Sequence, residues 1–465
     1  MNRLLLSLVL APLAGGILRV PADSLAAADV WNAVPYAIVD VTVIDVEAGV
    51  ARPGRTVLVR DDRVDAIGPA DDVSVPSDAV IIDGRGLFLM PGLCDAHVHC
   101  VDPEVFGRVM VANGVLFARD MGMPTADILN VKDRLNRGVL IGPELVATGT
   151  ILDGEPPLIP SVSLGVPTAD AARAAVRELA QAGVDMIKVY SRLDGDVFLA
   201  ALDEAHALGL KVAGHVPDSI PIEQAAAAGL DSSEHFFGFD KLIGRLLGAP
   251  VQQHYVGMGV DVVHFLRVGE LDPAKLREAL DDLRRSGLTV CPTVVTFEVG
   301  TRTTQFLSGT FPGSEYVSQT LLETWRSLWA QQTDLPEFVW QTWAHLVVKL
   351  HKAGIPLMVG TDLSTPGTLP GSSVHDEMAI WQDAGIPAAD ILRGATLVPA
   401  RFMGLDDRLG TIAEGKTASM VLLRANPLDD VRNAREIEAV FLRGRYYDRK
   451  ALDHLLEEAR DLAKR

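Results

Sequence analysis

Eight short apolar runs between Met90 and Asp362 alternate with helical stretches, and that alternation constrains the fold more than any other feature of the chain. The runs are Met90 to His99, Val115 to Arg119, Leu145 to Thr150, Val184 to Tyr190, Lys211 to His215, Asp231 to His235, Leu288 to Val295 and Ile355 to Asp362. Amphipathic helices such as Thr168 to Ala182 and Val197 to Leu208 lie between them, each stopping at a glycine that suits a helix C-terminus. Strands and helices in that order favour a parallel sheet of βα units. Eight units predict an α/β fold, a (β/α)8 TIM barrel over residues 90–407.

Shorter β-rich runs flank this region: Ala37 to Ile44, Thr56 to Val59, Val64 to Ile67 and Val80 to Ile82 before it, Ala418 to Leu423 and Ile437 to Leu442 after it. Together, residues 36–89 and 408–448 predict one small β-sandwich domain built from both ends of the chain, with 449–465 as a C-terminal helix. Two connections are long, Phe236 to Gly287 and Thr296 to Gly354. The second carries Trp325, Trp329, Trp340 and Trp343, partly at helical spacing, and reads as inter-helix packing rather than a lid over substrate.

A chain of 465 residues with 48% hydrophobic content can bury a large core. Its net charge of -19, spread without a block of one sign, argues against nucleic acid or an anionic membrane as partner. At the N-terminus, Arg3, an apolar stretch from Leu4 to Leu18 and Ala26-Ala27-Ala28 have the form of a secretory signal peptide over residues 1–28. This predicts a periplasmic or secreted protein, the alternative being a cytoplasmic one with a frayed first helix. The stretch is shorter than the roughly 20 residues of a spanning helix and is broken by Pro12, Gly15 and Gly16, so no stable membrane anchor is expected. Cys94 and Cys100 sit about 20 Å apart on one extended strand at about 3.3 Å per residue and cannot pair; Cys291 reads as a buried thiol.

The chemistry gathers where the strands end. His97 and His99, two apart on a strand leaving the Pro91-Gly92 turn, face one side and can hold one cation. Lys188 lies near the end of the fourth run, His215 ends the fifth, His235 the sixth and Asp362 the eighth. Barrel enzymes keep their reactive groups at these C-terminal tips.

Pro91-Gly92-Leu93 with Asp95, His97 and His99, then Ile187-Lys188-Val189-Tyr190, Gly214-His215, Ser233-Glu234-His235 and Gly360-Thr361-Asp362, resembles the amidohydrolase superfamily over nearly the whole mature chain. The likeness is strongest to its imidazolonepropionase-like and prolidase-like dipeptidase branch. That resemblance implies a centre of two divalent metal ions, of zinc type, with His97, His99 and Asp362 on one and His215 and His235 on the other. A CO2-derived carbamate on Lys188 would bridge them.

The lysine makes physical sense in that form. On a strand it shares the inward face with Val184, Met186 and Tyr190, and burial beside cations favours a neutral amine able to attack carbon dioxide. Two divalent ions against a carbamate, Asp362 and a hydroxide leave a net positive site, which polarises a carbonyl and brings the pKa of a shared water toward about 7. Asp362 is the expected base, passing the proton to the leaving nitrogen.

The expected activity is therefore hydrolysis of an amide or related C–N bond of a small-molecule substrate, a dipeptide or N-acyl amino acid, by a hydroxide shared between the metals. The alternatives are a lactone, carbamate or phosphoester on the same two-metal site, or an inert binding barrel; the chain could also form a homo-oligomer. A mononuclear deaminase usually carries a glutamate shortly after the fifth-strand histidine, where this chain has Val216-Pro217-Asp218. Substrate contacts are expected from Tyr190, Arg192 and His375, with Glu377 beside the last. Relatives often have a histidine in a Gly-rich turn after the third strand; this chain has Leu152-Asp153-Gly154-Glu155-Pro156-Pro157.

Overall fold

The computed structural model describes residues 34–249, 264, 266–308, 311–329 and 334–465. The expected signal peptide, residues 1–28, lies outside the described residues, as does part of the connection from Phe236 to Gly287. Among the described residues no helix is long and apolar enough to cross a membrane.

The chain forms an α/β fold with two sets of parallel strands. Seven of them carry the site: β1 (Leu93–Val98), β2 (Val115–Asp120), β3 (Glu144–Ala147), β4 (Met186–Val189), β5 (Lys211–Gly214), β6 (Ser232–Glu234) and β7 (Thr289–Cys291). The first three pair in the order β1-β2-β3 and the last four in the order β4-β5-β6-β7, all parallel. Between the sets, Asp185 N donates to Ala147 O at 2.9 Å, so β3 ends against the start of β4. Nearly every residue of these strands is buried, as expected where helices cover one face and a packed interior the other.

The eighth run behaves differently. Ile355 to Asp362 is not a regular strand; it makes isolated parallel bridges, Val290 to Leu357 on one side and Val98 to Leu363 on the other. Pro356 has no N–H to offer a ladder. Met358 N still donates to Val290 O, and Ala96 N to Val359 O, so the segment lies between β7 and β1. Gly360 permits this approach: a Cβ there would stand 2.5 Å from Cys291 Sγ and 3.0 Å from His97 N.

The helices are placed by local chemistry. Residues Ala169–Ala182 begin at Thr168, whose hydroxyl accepts from Ala171 N, and stop at Gly183 with φ of 96°. Two short strands, Ile151–Asp153 and Ser163–Gly165, fold back beside β4 in the connection that follows β3. They were not expected. In the insertion after β7 the tryptophans pack inward: Trp343 stacks on Phe297 at 3.8 Å, Trp329 meets Phe306 edge-on, and Trp325 Nε1 donates to Ser364 O.

Both chain ends supply the remaining sheet. Its path runs Arg445–Asp448, Ile437–Leu442, Met420–Leu423, Phe88–Pro91, Tyr36–Asp45, Val50–Arg60, Arg63–Pro69, with Val80–Asp83 also beside Tyr36–Asp45. It is one hydrogen-bonded sheet rather than two. The sheet curls until its last strand meets the segment ahead of Met420, through Val64 N to Lys416 O and Ala418 N to Asp62 O. Its apolar side chains, Ile38, Val57, Leu89, Met420 and Phe441 among them, fill the interior of the curl. Residues Arg449–Leu462 form a helix that packs on Pro103–Ala112.

The close approach at residue 360 is testable. Gly360→Ala should lower stability by about 1–3 kcal/mol through overpacking against Cys291 and His97, read as an earlier midpoint in chemical denaturation; an unchanged midpoint would contradict the packing.

Candidate metal centre

Four imidazoles, one carboxylate and one amine meet at the ends of these strands. The ring of His97 lies 5.6 Å from that of His99 and 4.4 Å from that of His235, which lies 5.2 Å from His215. Asp362 Oδ1 stands 3.3 Å from Nε2 of both His97 and His99. These three can hold a metal ion together. All are at most 5% exposed, and Lys188 is 1% exposed.

Each ring is held from one side. Nδ1 of His97 faces Glu234 Oε2 at 2.7 Å, Nδ1 of His99 Gly122 O at 2.9 Å, Nδ1 of His215 Ser191 Oγ at 2.8 Å, and Nδ1 of His235 Thr293 Oγ1 at 2.6 Å. A metal-binding histidine characteristically ties its other nitrogen to a carboxylate, carbonyl or similar group in this way. Nε2 of each ring is thereby left for the cluster. Nε2 of His97 and Oδ1 of Asp362 are buried with no hydrogen-bond partner among the described residues. Buried polar atoms without partners are costly, and a cation would satisfy both, so the donor set fits a divalent metal.

The backbone is strained where these side chains turn inward. His235, Phe236, Thr293, Asp362 and Ser364 all have positive φ, between 47° and 88°. Such conformations cost of order 1–3 kcal/mol each and persist where the surroundings enforce them. Here Asp95 does much of the enforcing: its carboxylate accepts from His97 N, Thr361 N and Thr361 Oγ1, joining the first and last ligand segments. Burial pushes Asp95 up to about 7. Gly214, directly before His215, lets β5 close on β4, since a Cβ there would fall 2.1 Å from Val189 O.

Charge within the cluster divides the rings: burial alone would lower His99, but its contact with the Asp362 carboxylate outweighs that and raises it. Burial, followed by the charge of Lys188, holds His97 and His215 well below the ordinary imidazole value, and burial takes His235 down to about 4, so these rings stay neutral. Burial alone would raise Asp362, but the surrounding imidazoles outweigh it and keep it ionised. Burial takes the Lys188 amine down to about 8 against the opposing pull of Glu234 and Asp362. Lys188 Nζ lies 5.9 Å from the Tyr190 ring centroid.

The expected substrate contacts divide. Tyr190 stacks on His215 at 4.0 Å, with Phe237 on the opposite face of that ring at 3.7 Å. Arg192 is fastened to the connection after β3 through its N–H to Asp153 Oδ1 and Nη1 to Pro156 O, while its buried Nε has no partner among the described residues. His375 sits elsewhere: its Nε2 meets Asn113 O at 2.9 Å, near Arg435. Glu377 accepts from Val294 N, Val295 N and Trp381 Nε1, and so braces the turn bearing Thr293. Sequence reading assigned no role to Glu234, Arg119, Ser191, Thr293 or Phe237. The available signal was a basic residue, Arg119, closing the otherwise apolar run Val115 to Arg119, and an acidic one directly before His235.

The amidohydrolase family pattern matches residues 338–446, a stretch that holds Asp362. An uncharacterized protein of Mycobacterium tuberculosis (strain ATCC 25618 / H37Rv) is 24% identical over 392 residues, covering 78% of this chain and 86% of its own. Among solved structures, bottromycin amidohydrolase superposes with a TM-score of 0.72 at 24% identity, over 92% of this chain and 90% of its own. A Xaa-Pro dipeptidase with methionine bound in its active site gives 0.66 at 20% identity, over 89% and 100%. At these identities the superpositions establish a common fold.

The lysine yields a pH prediction for protein freed of metal and carbon dioxide. Its amine titrates near 10.5 unfolded and about 8 folded, so between those values the unfolded chain holds a proton that the folded one lacks. Unfolding free energy must then rise with pH across that window, by about 3 kcal/mol, and the gain is lost as pH falls toward 8. Denaturation of wild type beside Lys188→Met should show wild type gaining stability relative to the variant from pH 8 to 10.5; a constant difference would contradict it.

Proposed function

We propose that the chain is an amidohydrolase that cleaves an amide or related C–N bond of a dipeptide or N-acyl amino acid with two divalent cations, a reading supported by the family pattern over residues 338–446. One observation carries this reading: four buried imidazoles are tied at Nδ1 and leave Nε2 for a common centre beside an unpartnered carboxylate oxygen. His97, His99 and Asp362 would hold one ion and His215 with His235 the other. Lys188 would join them as a carbamate: its neutral Nζ adds to the carbon of CO2, a C–O π bond opens onto oxygen, and the nitrogen loses a proton to solvent. The donor set of nitrogen and carboxylate oxygen suits zinc. Bound ions of this kind polarise a carbonyl and lower the pKa of water.

The chain's own groups would do the rest. Asp362, ionised and at the centre of the cluster, takes the proton of the attacking water and delivers it to the leaving nitrogen. Tyr190, stacked on His215, and Arg192, two residues on, would orient the substrate, Arg192 through its unpartnered Nε. We read the two parallel sets as one (β/α)8 barrel, supported by the Asp185 to Ala147 bond and by the segment lying between β7 and β1. The N-terminal pattern supports export to the periplasm.

A lactone, carbamate or phosphoester is the second reading. It is favoured by the connection after β3, where Asp153 binds Leu158 N and Arg192 N and no histidine is present to hold a scissile carbonyl. A dipeptide and N-acyl amino acid library, assayed beside lactones and aryl esters, separates the two. Turnover of amides supports the first reading; turnover of esters alone contradicts it. Asp362→Asn should lower kcat roughly 10²–10⁴-fold, and metal analysis should find two ions per chain in wild type and one in His215→Ala. Wild type without metal, and His97→Ala without effect, would favour an inert barrel.

A further inference from the structure

Glu234, on β6 directly before His235, points away from the centre and is entirely buried, as is Arg119 on β2. Its Oε1 accepts from Ser232 Oγ at 2.6 Å, both its oxygens accept from Arg119 Nη2 at 2.9 Å each, and Oε2 lies 2.7 Å from His97 Nδ1. A carboxylate ion paired through both oxygens with a guanidinium is an acceptor only, so the hydrogen between it and His97 belongs to Nδ1. The same guanidinium donates through Nε to Ala96 O at 2.6 Å, fixing the backbone beside His97.

We propose that Glu234, with Arg119 as counter-ion, is the positioning residue that locks His97 as its Nδ1–H tautomer and so aims a bare Nε2 at the first cation. This rests on reading the cluster as a metal centre. His97, Glu234 and Cys291 also lie close enough to ligate an ion themselves, but the guanidinium already bound to both carboxylate oxygens repels a cation from that pocket. A buried ion pair adds little net stability compared with apolar residues of its size. What this pair supplies is direction, since it fixes which nitrogen of one ring is free.

Zinc affinity by chelator competition tests the proposal, with Glu234→Gln beside the double variant Arg119→Met/Glu234→Gln, which leaves no buried charge unpaired. In both, one of the two ions should bind about 10–100-fold more weakly, while the ion at His215 and His235 keeps its affinity. Unchanged affinity of both ions in folded variants would overturn the proposal. A second measurement needs no variant: 15N NMR of histidine-labelled, metal-free wild type should show His97 protonated at Nδ1 and bare at Nε2, and the opposite tautomer would overturn it. Wild type that binds fewer than two ions would instead overturn the two-cation reading, leaving the tautomer of His97 to decide this one.

Discussion

Burying four imidazoles, a carboxylate and a primary amine at one point is unfavourable unless each polar atom finds a partner, and the fold meets this demand from outside the cluster. Every ring is gripped through Nδ1 by a group on a neighbouring segment: Glu234 on β6, Gly122 after β2, Ser191 after β4, Thr293 after β7. Of the inner atoms, Nε2 of His97 and Oδ1 of Asp362 remain unsatisfied among the described residues. Stability and function thus pull against each other here, and the positive φ values at His235, Thr293 and Asp362 mark where the backbone bears the conflict.

Parallel strands make the convergence possible. Side chains at the C-terminal tips of neighbouring strands point into one space, so residues as distant in sequence as His97 and Asp362 come within 3.3 Å. Asp95 and Gly360 then set the spacing of the first and last segments, one by hydrogen bonds and the other by the absence of a side chain. The insertion after β7 secures the other flank. Trp325 binds the carbonyl of Ser364, and the hydroxyl of that serine binds His99 O, so a tryptophan far from the cluster helps hold a ligand strand.

Much of this was legible in the sequence, because strand position and side-chain direction follow from apolar runs and their ends. Seven of the eight runs are regular strands within a few residues of their expected limits. The eighth is not, since Pro356, Gly360 and the positive φ of Asp362 interrupt a ladder that hydropathy alone cannot resolve. The short strands Ile151–Asp153 and Ser163–Gly165 flank a stretch with Gly154, Pro156, Pro157 and Pro160, which reads as a loop. The six residues expected at the centre, His97, His99, Lys188, His215, His235 and Asp362, lie together, whereas His375 rests on Asn113 O. Its helical position gave no hint of direction. Glu234 and Arg119 were hidden for a different reason: their roles depend on a pairing across strands 115 residues apart, which no local pattern encodes.

What this centre can hold depends on where the free nitrogens point. Anomalous diffraction from crystals of the protein loaded with zinc measures this directly. Two peaks are predicted, one at Nε2 of His97 and His99 with Asp362, the other at Nε2 of His215 and His235, with added density on Lys188 Nζ between them. A peak at any Nδ1, or a lysine amine remote from both ions, would contradict it.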